Sequence, residues 1–258
     1  MTSAAIKLTG DESRVITLAG EEARRDAVRR ELKSLAGRLS AEDSVMIVLI
    51  GHGTFDGQEY RFNLPGPDLT GRELGQLFDQ LAARDQLIVN ATSSSGATIE
   101  PWQRPQRVII TATKSGGERT ATRFAEHWIR ALTSDAADAN KDDVVTAVEA
   151  FEYSTRQVAA AYKVDVALAT EHARMEGDSA GRFAVAHLGA APISTDPEVN
   201  AMLAQRDVIE RDLAQVKERK SALAEDDYYD ELEGVLVRLA TLQRQIDAKT
   251  SPGSGAQQ

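Results

Sequence analysis

No cysteine occurs anywhere in the 258 residues. A disulfide framework, thiolate metal ligation and thiol catalysis are therefore excluded for the chain as it stands. Long apolar runs are missing too. Nothing approaches the roughly 18 consecutive apolar residues of a membrane-spanning helix, and no basic segment followed by an apolar one opens the chain, so neither a membrane span nor export is signalled. The compartment stays open: cytoplasmic by default, exported if the chain is the processed part of a longer precursor. Positive charge is scarce beside negative, 30 Lys and Arg against 40 Asp and Glu. A net charge of −10 repels phosphate backbones, and the basic residues are scattered among acids, so nucleic acid is not an expected partner. What is present is ordinary: 42% apolar and 27% charged residues suit one well-buried α/β domain with an appendage.

From residue 14 to about residue 132, short apolar runs alternate with amphipathic stretches: RVITLAG, EEARRDAVRRELKSLAGRL, SVMIVLIGHG, TGRELGQLFDQLAARD, QLIVNATSSSG, RVIITATKSG and ERTATRFAEHWIRAL. The alternation predicts a β-α-β-α order and a three-layer α/β fold with a mostly parallel central sheet. Val45 to Ile50, Leu87 to Val89 and Val108 to Ile110 are continuously apolar, as central strands covered on both faces must be. Gly, Pro and Asp between Gly53 and Leu69 predict a loop or small hairpin, and Pro101 and Pro105 make residues 97–106 irregular. Helical spacing predicts a helix over 143–162, and RFAVAHLG at 182–189 reads as a late strand. After Pro192 and Pro197 the composition changes. Residues 198–222 and 228–248 carry apolar positions three and four apart, including Met202, Val208, Leu213, Val216, Leu232, Val235, Leu236, Leu242 and Ile246, and predict an antiparallel helical hairpin. The domains expected are thus 1–190, 191–250 and a disordered tail from Ser251.

Three strand exits carry GHG, TSSSG and TKSGGE, and in open α/β sheets the loops leaving the carboxyl ends of strands form the ligand crevice. His52 lies between two glycines, whose missing Cβ atoms let a substrate backbone approach and leave amide N–H groups open. Taken alone, GHG reads first as a turn histidine. The Ser93-Ser94-Ser95-Gly96 turn can offer a hydroxyl nucleophile to an imidazole, or can simply satisfy its own backbone, and spacing does not choose between these.

An apolar strand ending in His-Gly, a second ending in a Cys-x-Ser-Gly turn and a third running into Ala-Thr is the order of motifs in the caspase, legumain and gingipain peptidases. In VMIVLIGHG, LIVNATSSSG and RVIITATKSG this sequence resembles that family, nearest to its bacterial legumain-like members, over roughly residues 14–160. The resemblance implies His52 as base, Gly53 N–H as an oxyanion donor and Ser93, third before Gly96, at the nucleophile position. By position it also implies that Lys114, Ser115 and Glu118 border the pocket for the residue before the scissile bond, where Glu118 would suit a basic side chain.

The departure matters more than the match, because serine stands where the family has cysteine. A thiol with pKa near 8.5 ionises readily beside histidine, whereas a hydroxyl needs a base held in the right tautomer. The expected result is a pseudo-peptidase that binds peptide or protein segments. An active endopeptidase remains the alternative, with Ser93 a natural or engineered replacement, and a third is a structural protein assembling through its hairpin. A homo-oligomer through the sheet edge or the hairpin is compatible with each.

The family places a further central strand before the segment RVITLAG resembles, and here IKL would have to supply it as a very short strand, unless a longer precursor or a partner completes the sheet. Asp138, Asn140, Asp142, Val144 through its carbonyl, Thr146 and Glu149 match the oxygen-ligand spacing of a twelve-residue calcium loop, but Asp143 stands at the sharp turn that favours glycine. The plainer reading is an acidic loop leading into a helix whose first turn favours Asp. His127, His172 and His187 lack ligand-like spacing. Charges in the hairpin read as a solvated face, and Tyr228 and Tyr229 near its turn are candidate contact residues.

Overall fold

In the computed structural model, which describes residues 1–188, 196–221 and 223–250, the chain begins with a helix, α1 (Thr2–Thr9). The short strand expected at IKL is absent. Gly10 closes the helix in the left-handed region at φ 68, with its N–H bonded to Ile6 O, and Ala4 anchors one face in the core. RVITLAG is also not a strand. Val15 and Ala19 are extended, but 3-10 turns at Glu12–Arg14 and Gly20–Glu22 take up its two ends, and among the described residues no ladder partner adjoins it.

Helix α2 (Arg25–Ala36) leads into β1 (Ser44–Leu49). The Gly- and Pro-rich segment that follows is a three-stranded antiparallel meander of β2 (Gly53–Phe55), β3 (Tyr60–Phe62) and β4 (Leu69–Thr70). Asp56 makes its first turn by accepting from the N–H groups of Gln58 and Glu59. Then come α3 (Gly71–Phe78), capped by the Thr70 hydroxyl, β5 (Asp85–Asn90), a single-turn α4 (Ile99–Trp102), β6 (Arg107–Thr111) and α5 (Phe124–Ala131). The unit ends with β7 (Val144–Thr146), α6 (Ala147–Val164), β8 (Arg174–Glu176) and β9 (Ala184–His187), the last lying within the late strand the sequence predicts. Predicted at 143–162, the long helix starts instead at Ala147, because Thr146 and Glu149 form a reciprocal capping box.

The central sheet has the order β1-β5-β6-β8, with the first three strands parallel and β8 antiparallel at the edge. Strand alternation divides the core in two. Leu87, Val89, Val108 and Ile110 face Phe124, Trp128, Ala150 and Val158 on one side, and Ile88 and Ile109 face Leu74, Phe78 and Trp102 on the other. Helices cover both faces, so the fold is the expected three-layer α/β arrangement. Each fully buried Leu, Ile or Phe stabilises it by about 1.5–3 kcal/mol. The buried guanidinium of Arg107 is satisfied by Gln86, the Trp102 carbonyl and Asp79, which ties the end of β6 to α3 and α4. Val144 and Val145 pair with β9, and Lys7 of α1 reaches Leu188 O at 3.3 Å.

A second compact unit, Ala190–Gln258, is the predicted hairpin, formed of α7 (Pro197–Glu218) and α8 (Glu225–Thr250). Asp196 caps α7, and the pairs Glu198–Lys249, Asp212–Arg238 and Arg219–Glu231 set the helices antiparallel. Val216, Tyr228 and Val235 form its core with Ile209, Leu213 and Leu232. Val208 and Leu236, expected on the apolar stripe, are exposed. The tail from Ser251 lies outside the described residues.

Candidate functional site

Because β1, β5 and β6 run parallel in register, with Leu49 beside Asn90 and Asn90 beside Thr111, their three exits open at one rim. GHG, the serine turn and the segment of residues 112–118 meet there, as the sequence predicts.

Gly51 takes φ 146 and places His52 at the surface, where the His52 carbonyl accepts from Asn63 N–H at 3.0 Å. Gly53 then passes under the serine turn. A Cβ there would lie 2.4 Å from Ser93 O and 2.6 Å from both Thr92 Oγ1 and Tyr60, so only glycine fits. The close approach brings Gly53 N–H to Ser93 Oγ at 3.3 Å, and the Ser93 hydroxyl donates to Gly53 O at 3.1 Å. Ser93 is 3% exposed and makes no hydrogen bond to His52. The structure thus brings Gly53 and Ser93 into direct contact while leaving the expected base and nucleophile positions unlinked.

Below Ser93 lies a closed polar network that the sequence reading did not single out. Thr92 Oγ1 bonds Tyr60 OH at 2.7 Å and donates to Asn90 Oδ1 at 2.8 Å, while Asn90 Nδ2 donates to Thr98 at 3.3 Å. Burial pushes the Tyr60 phenol up to about 12 against the lowering pull of Thr92 and Asn90, so it stays neutral. A tyrosine on the small hairpin and an asparagine ending an apolar strand were the signals available. Beyond Ser93, Thr113 holds the turn: its N–H donates to Ser95 Oγ at 3.1 Å, and its hydroxyl accepts from Gly96 N–H at 2.9 Å. A Cβ on Gly96 would meet Ser115 N at 2.2 Å, which makes this glycine a packing requirement as well.

Between them, Ser94 has φ 57, and its fully buried hydroxyl has no hydrogen-bond partner. A non-glycine residue in the left-handed region costs about 1–2 kcal/mol, and an unsatisfied buried hydroxyl about 1–3 kcal/mol. Strain of this kind concentrates at functional sites, and here it stands beside position 93.

Ser94 N–H is held by Glu118 O at 2.8 Å. Of the three residues expected at the pocket, Lys114 and Ser115 are exposed at the rim, but the Glu118 carboxylate turns away to other partners. It accepts from His172 Nδ1 at 2.5 Å, His172 N–H at 3.1 Å and Lys114 N–H at 2.9 Å. Burial pushes its pKa up, but these hydrogen bonds outweigh burial and hold the carboxyl below its usual value. Lys114 Nζ also lies 3.8 Å from Glu118 Oε1, so the carboxylate is shared between His172 and a lysine of the rim. His172 emerges as its partner, a pairing that sequence separation concealed.

Residues 138–149 form a tight loop. Asp138 accepts from the N–H groups of Lys141, Asp142 and Asp143, Asn140 from Asp142, and Asp142 from Val144. Glu149 accepts from Ala139, Asn140 and both the N–H and hydroxyl of Thr146. Asp143 does take the sharp turn, with φ 65, and Lys141 has φ 63. Among the described residues no group of three or more His, Cys, Asp or Glu side chains is arranged to hold a metal ion. His127 is buried, and its Nδ1 has no hydrogen-bond partner. Glu171, buried at the start of α5, caps the N–H groups of Arg123 and Phe124. Among the described residues no helix is long and apolar enough to cross a membrane.

No family model matches the chain, and no curated protein matches it. Among solved structures, a Geobacter sulfurreducens protein known from its crystal structure is similar, with 12% identity, coverage of 69% of this chain and 83% of its own, and a TM-score of 0.45. At that level the likeness assigns neither fold nor function.

Proposed function

We propose that the first unit is a caspase/legumain-like peptidase homologue that holds peptide segments at the rim of its sheet without cleaving them. The order of the motifs VMIVLIGHG, LIVNATSSSG and RVIITATKSG supports the family, and their meeting at one rim supports a common cleft. One observation carries the inactive reading: the Ser93 hydroxyl gives its proton to Gly53 O and accepts from Gly53 N–H. Both of its roles are taken by backbone, and no base draws its proton. A neutral hydroxyl without an aligned base is a poor nucleophile.

A second reading, an endopeptidase with its nucleophile at position 93, is favoured by the same contact. Gly53 N–H already points at the atom of residue 93 that would attack, close to where an oxyanion donor belongs. A cysteine there would need far less help from His52 to ionise. A third reading, assembly through the hairpin, is favoured by the exposed Val208, Leu236 and Val237. For residues 138–149, calcium in place of the backbone N–H contacts is the finer reading of the loop, supported by the turn at Asp143.

The test compares the protein with Ser93→Cys on a mixed fluorogenic peptide library at neutral pH, with His52→Ala in both backgrounds, and measures peptide binding by fluorescence anisotropy. The expected outcome is binding without cleavage by the protein, and cleavage by Ser93→Cys that is lost with His52. Cleavage by the unaltered protein overturns the inactive reading. Neither binding nor cleavage by any folded form overturns the cleft altogether and favours assembly through the hairpin.

A further inference from the structure

We infer that the groove around Gly234, between α7 and α8, is a self-complementary interface in which the α8 helices of two copies of this chain cross antiparallel. This interface rests on the reading in which the hairpin assembles, and not on what the cleft does.

Gly234 stands near the middle of a 26-residue helix. After proline, glycine is the least favourable residue for a helix interior, so its presence there needs a reason. Packing within the hairpin supplies none, because a Cβ at Gly234 would meet nothing within 4 Å. A helix position without a side chain, open on its outer side, lets another backbone approach closely. Gly234 lines a groove of about 480 Å³, whose floor includes Val216 and Val235 and whose walls carry the ion pairs Arg219–Glu231 and Asp212–Arg238.

The occupant is indicated by charge. Ahead of Gly234, α8 carries six acidic residues and no base, whereas after it Arg238, Arg244 and Lys249 stand against Asp247 alone. The helix dipole accounts for acids in the first turn and a base in the last, and its effect fades within those turns. It does not account for Asp230 and Arg238, which lie one turn to either side of the glycine and line the same groove. A two-fold axis at Gly234 with the helices antiparallel sets Asp230 opposite Arg238 of the second copy, and Arg238 opposite its Asp230. Parallel helices would instead set like charges together. Asp230 is exposed and has no ion-pair partner among the described residues, and the Arg238 guanidinium, 54% exposed while paired with Asp212, has further donors to give. Val237, 57% exposed and three positions from Gly234, lies on the same side of α8 and gains cover from the second copy. Leu236, two positions from Gly234, projects from the opposite side.

Sedimentation equilibrium on the full chain, from micromolar to millimolar concentration, tests the inference. The protein is expected to dimerise. Gly234→Leu fills the point of closest approach and is expected to raise the dissociation constant about tenfold or more. The melting temperature of the dilute protein is expected to hold or rise in the same variant, since leucine favours the helix. Asp230→Arg and Arg238→Asp each set like charges opposite each other twice per dimer and are expected to weaken it to a similar extent. Mixed in equal amounts, these two variants are expected to recover a dimer, because each supplies the charges that the other lacks. Leu236→Glu is expected to leave the dimer unchanged. Circular dichroism verifies that each variant folds. A monomer throughout the range overturns both this interface and assembly through the hairpin. A dimer dissolved by Leu236→Glu overturns this interface and leaves assembly to another face of the hairpin. A dimer indifferent to Gly234→Leu and to the charge reversals overturns it, as does a mixture that associates no more tightly than either variant alone.

Discussion

The serine turn and the acidic loop of residues 138–149 both look, as strings of polar residues, like places built for a ligand, and the structure treats them differently. In the acidic loop the carboxylates of Asp138, Asp142 and Glu149 accept from backbone N–H groups, so Asp138 and Glu149 act as the loop's own caps. Both loops hold residues in the left-handed region, Lys141 and Asp143 in one and Ser94 in the other, but Ser94 also carries a fully buried hydroxyl without a hydrogen-bond partner, beside position 93. The lesson concerns accounting for polar groups. A cluster that satisfies itself explains its own presence, whereas a residue that costs stability requires another reason for being there.

The comparison breaks most visibly at Gly53. Gly53→Ala forces a methyl group to within 2.4 Å of Ser93 O, and because backbone must move, the expected loss is about 3 kcal/mol or more in urea unfolding. A loss below about 1 kcal/mol would mean that the two loops are not locked together.

Glu149→Ala tests the other half. Four hydrogen bonds go with this one side chain, leaving part-buried N–H groups without it, so the loss expected is about 2 kcal/mol, measured by thermal unfolding. Calcium titration of the unaltered protein sharpens the point. A rise in melting temperature that Glu149→Ala abolishes would make the loop a cation site, and no change would leave it a cap.

Ser94→Gly should act in the opposite direction. Relief of the left-handed backbone and removal of the orphaned hydroxyl outweigh the added chain entropy, so a gain of about 1 kcal/mol is expected. If peptide binding at the rim weakens in the more stable variant, the strain belongs to function; if the variant is destabilised, Ser94 is not strained.

The smallest effect concerns Glu118. Its carboxyl sits below the ordinary value of 4.5, so its contribution is present above that value and lost as pH falls through the lowered one. Glu118→Gln should therefore cost about 0.5–1 kcal/mol at neutral pH, and the difference from the unaltered protein should close as the pH falls through the lowered value. A difference that persists into acid would count against this assignment.

The central strands were legible because apolar runs such as Leu87–Val89 have one stable place, between two layers of helices. RVITLAG shows the limit of that logic. Its pattern fits a strand, but a strand exists only where an edge accepts it, and pairing is not written in local pattern. IKL became the last turn of α1 for a related reason: Gly10 ends a helix cleanly, and Ala4 has a core to enter. At the site, the GHG and serine turns were legible as strand exits, while the positions given to Gly53 and Ser93 within them came from the family resemblance. Tyr60, Thr92 and Asn90 were not, since polar residues reveal partners only when distant segments meet.

By itself, then, the sequence determined the strand and helix alternation, the hairpin and the rim where three loops gather, because periodicity and turn chemistry act over a few residues. Tertiary structure alone decided that Ser93 bonds Gly53 and not His52, that Glu118 meets His172, and that β8 ends the central sheet. Those outcomes depend on which distant groups approach within hydrogen-bonding distance, and only the packed chain sets that distance.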